Sequence, residues 1–363
     1  MTLPRLTIRS LRAVAVMVPM RLALGTSAAT VRTAPLLLLD LETHEGITGR
    51  AYQFCYHQAA APAIARFLDD ILEAMVGCAI VPDNMWAVLS KRYTLIGVQG
   101  VVRMAMAVVD VACWDALSQA ACVPLAHMLG GEVRPIPAYN SNGLGLMPVG
   151  ALADEAGQLI ERGFRAVKLR LGYATLNEDL AAVRAVRTRL PDGVSLMVDY
   201  NQALTTPDAV TRARALDDEG IYWIEEPVRH DDFGGCAKVA TAARTPVQIG
   251  ENFSQVYDME RALDVRACDY VMPDLERIGG VTGWRRASAL AAEARIPMSS
   301  HLYPEASAHL LAATPTAHWL EYVDWINPLL AEPLKIVDGM AIPSGRPGIG
   351  LTWDSAAVRK YAA

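Results

Sequence analysis

The chain has 363 residues, 52% of them hydrophobic, with 33 basic residues against 39 acidic ones for a net charge of −6. That length exceeds the about 250 residues of a single barrel, and the apolar share is enough for a large core. A mildly acidic balance without like-charged blocks excludes the basic footprint of a nucleic-acid or membrane-surface binder. The six cysteines, Cys55, Cys78, Cys113, Cys122, Cys236 and Cys268, form no CxxC pair, as expected of reduced core thiols in a cytosolic, cytoplasmic protein. The apolar run Ala13–Met20 is far shorter than the roughly 20 residues that span a bilayer. Its alternating Val14, Val16 and Val18 read as a strand, not as a signal peptide.

In chain order, Thr7–Pro19, Ala34–Leu41 and Thr48–Tyr56 are predicted strands, with a flexible Gly/Ser/Thr/Ala stretch, Met20–Arg32, between the first two. Residues 59–76, 82–92 and 98–120 carry apolar residues at helical spacing. Together they predict a small α+β domain over 1–130. The rhythm then changes. Short apolar strands are predicted at Ile136–Ser141, Ala166–Leu171, Ser195–Asn201, Tyr222–Glu226, Val247–Glu251, Tyr270–Asp274, Met298–His301 and Trp319–Val323. Helical stretches separate them, which predicts a (β/α)8 TIM-type barrel over 131–330 with buried parallel strands. The remainder, 331–363, includes the Pro/Gly-rich Ile342–Gly350 and is expected to pack back on the first domain.

Chemistry is expected at the strand ends. Asp199, Glu225 and Glu251 close the segments MVDYN, WIEEP and IGEN at equal intervals, one strand–helix unit apart. Residues at those ends meet at one barrel mouth. Three carboxylates there repel unless a cation neutralises them, and oxygen-only ligation selects a hard ion such as Mg2+. Asp274, His301 and Glu321 close the next three strands. A carboxylate beside a histidine orients the imidazole and raises its pKa, as a general base requires. Glu321, if protonated or sharing a proton, can donate to a developing enolate oxygen. Lys168 and Arg170, two apart in AVKLRLG, face the same side. They call for anionic partners, which a substrate carboxylate and the metal ligands would supply. A cation with Lys168 lowers the cost of charge on a carboxylate whose α-proton a positioned base removes.

These motifs carry a resemblance. TAPLLLLDL, RAVKLRLG, MVDYNQ, WIEEP, GEN, MPDLERIGGVTGW and SSHLYPEASAHLLAATPTAHWLE resemble the enolase superfamily, in its mandelate racemase group, along almost the whole chain. The resemblance implies a barrel with an N-terminal capping domain and a mobile lid, here 20–32. It implies Mg2+ on Asp199, Glu225 and Glu251, a His301–Asp274 base dyad, Glu321 as electrophile and Lys168 on the substrate carboxylate. It places Ser141 and Asn201 at substrate-contacting positions, and Leu24, Ala28, Val31, Phe54, Tyr56, Leu95, Leu302 and Val323 around an apolar pocket. Arg21, Asn140, Asn142 and His57 are the nearby polar groups. Homo-oligomers, tetramers or octamers, are common in the group.

One position departs. Racemases of the group carry KxK where this chain has Lys168 and Arg170. A guanidinium is a poor general base, and racemisation needs proton acceptors on both faces of the α-carbon. A site with one base fits β-elimination of water from a 2,3-dihydroxy carboxylate, as in acid-sugar dehydratases. The alternatives are a racemase or epimerase of an aryl or alkyl 2-hydroxy acid, and a catalytically inactive binding or assembly protein.

Overall fold

The alternation that opens the chain does not stop at Pro19. In the computed structural model, which describes residues 4–363, β1 runs Ile8–Gly25. It pairs antiparallel with β2, Thr30–Thr43, which pairs with β3, Thr48–Phe54. The stretch expected to be flexible, Met20–Arg32, is therefore mostly the end of a hairpin. Leu22 and Leu24 extend the apolar alternation, and a register shift between Pro19 and Leu24 absorbs the proline. Only Thr26–Ala29 turns. Thr26 N–H donates to the Ala29 carbonyl (2.9 Å), and its hydroxyl accepts from the N–H groups of Ala28 and Ala29.

Helices α1 (Ala60–Met75), α2 (Pro82–Arg92) and α3 (Gly100–Ala120) complete the capping domain. α3 is apolar on nearly every face, and such a helix must be buried all round. It packs on β3 so closely that a Cβ at Gly49 would stand 2.0 Å from the Ala112 carbonyl oxygen. Two buried acids on α3 reach other parts of the molecule. Asp110 accepts from Trp86 Nε1 (2.9 Å) and from the Thr282 N–H (2.9 Å) and hydroxyl (2.6 Å), in the barrel helix Gly280–Ala294. Asp115 accepts from the N–H groups of Arg50 (2.8 Å) and Ile349 (2.6 Å).

The barrel strands are β4 (Ile136–Asn140), β5 (Ala166–Arg170), β6 (Ser195–Asp199), β7 (Ile221–Glu225), β8 (Val247–Ile249), β9 (Tyr270–Val271) and β10 (Leu320–Tyr322). They pair in sequence and in parallel from β4 to β9, and β10 pairs with β4. Met298, bridged to Val271 and Ala317, closes the circle. The expected strand Met298–His301 is thus reduced to bridges. Leu302 and Tyr303, at φ +52° and +49°, turn the chain away into the helix Pro304–Ala312. Glu251 and Asp274 likewise lie beyond their strands rather than on them.

Side-chain alternation sets the interior. Val167, Leu169, Leu196 and Val198 join the large core, whereas Tyr139, Ala166, Met197 and Trp223 form a separate buried cluster. By the two-residue period of a strand, Lys168, Asp199 and Glu225 share the second group's side. The last segment does more than pack on the capping domain. β11 (Lys335–Val337) and β12 (Met340–Ile342) form a hairpin that extends the sheet beside β4. Ile349 and Trp353, which donates to Asp40 Oδ1 (2.8 Å), then reach the capping domain.

Candidate active site

At the strand ends, Asp199, Glu225 and Glu251 are all buried, with one carboxylate oxygen of each within 4.8 Å of the others. Asn201 holds Asp199 by its N–H (2.8 Å) and its Nδ2 (2.9 Å). Trp223 Nε1 donates to Glu225 Oε2 at 3.0 Å. Burial pushes the Glu225 carboxyl up to about 8; Lys168 pulls it down, while Asp199, Glu321 and Glu251 add to the rise. This crowding is what a cation relieves. An all-oxygen buried donor set of close carboxylates fits a hard divalent ion. Asn201 Oδ1 is also buried and unpartnered.

His301 Nδ1 donates to Asp274 Oδ2 at 2.8 Å. Asp274 is fixed in turn, since its other oxygen accepts the N–H groups of Glu276 and Arg277, each at 2.9 Å. That leaves Nε2 facing the mouth, 3.4 Å from Glu251 Oε2 and 3.8 Å from Glu321 Oε2. Burial works against the imidazolium, but Glu251, Glu321 and the bond to Asp274 push its pKa up to about 9. A cation at Glu251 acts in the opposite direction.

The two cations of β5 have different partners. Lys168 Nζ lies 2.5 Å from Glu225, 2.9 Å from Glu321 and 3.3 Å from Asp199. Burial alone would discharge it; Glu225 and Glu321 foremost keep it charged. Burial opposes ionisation of Glu321 too, yet Lys168 and His301 hold its carboxyl well below the usual range. That leaves Glu321 an ionised carboxylate paired with Lys168, rather than in either of the two states expected of it. Arg170 corrects the expectation that the metal ligands serve as its anionic partner. Its guanidinium donates to the carbonyls of Ser141 and Gly143 (2.8 Å each) and to Ser141 Oγ (2.9 Å). Among the described residues no carboxylate pairs with it.

The expected pocket is brought together only in part. Phe54, Leu302 and Val323 are buried. The Phe54 ring lies 4.6 Å from Tyr56 and 4.9 Å from Trp325. Arg277 stacks over Tyr56 at 4.4 Å, and the Tyr56 hydroxyl is buried and unpartnered. Leu24 pairs with Val31 near the hairpin end. Ala28 is exposed, and Leu95 is wholly so. The polar candidates are committed elsewhere. Arg21 pairs with Asp324 (3.2 Å), Asn140 and Asn142 bond each other (2.9 Å), and exposed His57 accepts from its own turn at Ala59.

Sequence reasoning passed over a supporting ring. Asn252 Nδ2 donates to Glu226 Oε1 (2.7 Å) and to Glu251 Oε1 (3.3 Å). Arg277 Nη1 donates to Asn252 Oδ1 (2.6 Å) and to the Glu251 carbonyl (3.0 Å). Burial, with Glu251 next, pushes the Glu226 carboxyl well above its usual range. The only available signal was adjacency, in WIEEP, GEN and PDLER.

The comparisons agree with this architecture. Residues 8–130 match the description "Mandelate racemase / muconate lactonizing enzyme, N-terminal domain" and residues 151–357 match "Enolase C-terminal domain-like". A magnesium-bound enolase structure from the alphaproteobacterium BAL199 is 41% identical, covers 99% of this chain and 100% of its own, and superposes with a TM-score of 0.96. A Bradyrhizobium enolase structure with magnesium and mandelic acid is 38% identical over 100% of both chains, at a TM-score of 0.94. The 3,6-anhydro-alpha-L-galactonate cycloisomerase of Streptomyces coelicolor is 32% identical over 93% of each chain. The L-talarate/galactarate dehydratase of Salmonella typhimurium is 30% identical over 89% of this chain and 82% of its own. The chain belongs to the mandelate racemase / muconate lactonizing enzyme family of the enolase superfamily. It is a magnesium-dependent enzyme of that superfamily, a lyase or an isomerase.

Proposed function

We propose that this enzyme removes the proton α to the carboxylate of a 2,3-dihydroxy acid and eliminates the β-hydroxyl as water. The observation that supports this best is an asymmetry of bases. His301, held by Asp274, presents a free Nε2 to the mouth, whereas Arg170 on β5 is an arginine bonded to Ser141 and Gly143. In this proposal Asp199, Glu225 and Glu251 hold Mg2+, which when bound supplies positive charge to the substrate carboxylate. Lys168 supplies a second positive charge beside it. The α C–H bond breaks and His301 Nε2 takes the proton. The electron pair forms the C=C bond as the β C–O bond breaks, and His301 returns that proton to the departing hydroxyl. The resulting enol tautomerises to a 2-keto acid. Asn201 Oδ1 and the Tyr56 hydroxyl, both unpartnered, and the Ser141 hydroxyl are its polar substrate contacts; Leu24 closes the pocket from the hairpin end.

Incubating the enzyme with Mg2+ and a library of hydroxy acids in D2O tests this. A 2-keto product is expected, and His301→Asn should abolish α-proton exchange while still binding Mg2+. Exchange at the wild-type rate in that variant would overturn the base assignment.

A second reading has its own support. The aromatic wall of Phe54, Tyr56 and Trp325, with Asn140 and Asn142 committed to each other, suits an aryl or alkyl group more than a polyol. The Bradyrhizobium relative was crystallised with mandelic acid. Racemisation of an aryl 2-hydroxy acid would appear in the same assay as deuterium incorporation with inversion and no keto acid.

We further propose a cytoplasmic homo-oligomer, a tetramer or octamer. All six cysteines are free, as a reducing compartment requires. Exposed Val88, Leu95 and Ile96 offer apolar surface to a second copy. Among the described residues no helix is long and apolar enough to cross a membrane.

A further inference from the structure

Arg170 is a charge that the catalytic proposal leaves without work. It is 4% exposed, at the mouth end of β5, and its Nε is buried and unpartnered. Its bonds all run to one turn. Besides the three from the guanidinium, its N–H donates to the Leu144 carbonyl at 2.9 Å. Four hydrogen bonds from one residue thus fasten residues 141–144. The turn needs them, because Gly143 sits at φ +59° and Leu144 at φ +43°. A non-glycine residue in that region persists only when its surroundings over-determine it. Glu155 adds one more bond, accepting the Leu144 N–H at 2.7 Å.

What lies beyond the turn gives the fastening a purpose. Leu146 N–H donates to the Gly25 carbonyl at 3.1 Å, so the tip of the β1–β2 hairpin lands on this turn. The approach is backbone to backbone. A Cβ at Gly145 would stand 2.6 Å from both the N and the O of Gly25. Ser27 Oγ donates to the Asn201 carbonyl at 3.3 Å, a second point of landing. On the inner side, Ser141 Oγ accepts from Arg170. A hydroxyl that accepts from a guanidinium directs its own proton elsewhere.

We propose that Arg170 is a positioning residue. It clasps the turn 141–146 as the platform on which the hairpin tip closes the site. It takes no proton from substrate. That last statement rests on the one-base reading above; the clasp does not.

Amide hydrogen exchange on the full-length enzyme with Mg2+ tests the clasp without any substrate. In Arg170→Met and Arg170→Lys, exchange at the Leu146 N–H and over 26–29 should rise about tenfold or more. Methionine has no donor, and a lysine ammonium lacks the rigid fork by which Arg170 reaches two carbonyls from one nitrogen and a hydroxyl from the other. Gly145→Ala, which disturbs the landing and leaves Arg170 in place, should raise the same exchange. On an acid that the wild type turns over, Gly145→Ala should raise KM about tenfold and change kcat little, while Arg170→Met should lower kcat as well. Unchanged Leu146 protection in a folded Arg170→Met protein would overturn the clasp. Inversion of a 2-hydroxy acid by the wild type, lost in Arg170→Met and retained in Arg170→Lys, would overturn the claim that this position takes no proton. If the wild type turns over no acid, the dehydratase proposal fails and the exchange data still decide the clasp.

Discussion

Several functional side chains at the mouth are held by neighbours that take no proton from substrate. Asp274 shows this best, with one oxygen on the His301 ring and the other on two backbone N–H groups. Asp274→Asn keeps the shape but can present a donor to Nδ1, which favours the wrong tautomer. Wash-out of the α-proton is expected to fall about 100-fold or more, measured by mass spectrometry in D2O. A fall of less than about threefold would show that the ring is oriented by other means. The charged residues of this site were legible because carboxylates and a lysine at the ends of apolar strands have few other reasons to be there. The setting of Arg170 was not legible, since its partners are backbone carbonyls of a turn that shows no pattern in the sequence. Leu95 was placed at the pocket by the resemblance, and a matched position does not show whether its side chain is exposed.

Among the elements, the barrel strands followed from their apolar runs, and their two faces from the alternation of Lys168 and Arg170 with Val167 and Leu169. The hairpin end did not, because small residues conceal a strand whose pairing is set by the register of its partner. Met298–His301 failed in the other direction. Its apolar start reads as a strand, but the left-handed pair Leu302–Tyr303 directs the chain into a helix. Packing between elements gives a clean test at Gly49, where α3 leaves no room for a methyl group. Gly49→Ala should destabilise the fold by about 2 kcal/mol, read as a lower urea midpoint at unchanged slope. A midpoint equal to the wild type would mean that β3 and α3 separate freely.

At the scale of the molecule, buried polar groups join the two domains and the last segment. His309 is one of them, accepting the Ala126 N–H at Nδ1 (3.3 Å) and donating from Nε2 to the Ile349 carbonyl (3.2 Å). Burial lowers its pKa from 6.5 to about 4. The unfolded chain therefore binds the proton first as pH falls, so this stabilisation is complete above about pH 6.5 and is lost on descending toward 4. Between pH 7 and pH 5 the wild type should lose about 2 kcal/mol relative to His309→Gln. Parallel curves in denaturant titrations at the two pH values would rule this out. None of these ties could be read from sequence, because each joins residues far apart in the chain by only one or two bonds. The Asp115–Ile349 bond spans a separation of 234 residues. At the roughly 5–20 residues per second of synthesis, the acid waits roughly ten to fifty seconds for its partner to be made. The first unit to leave the ribosome is thus the last to be finished, and a pause anywhere in that interval prolongs the exposure of its unfinished face.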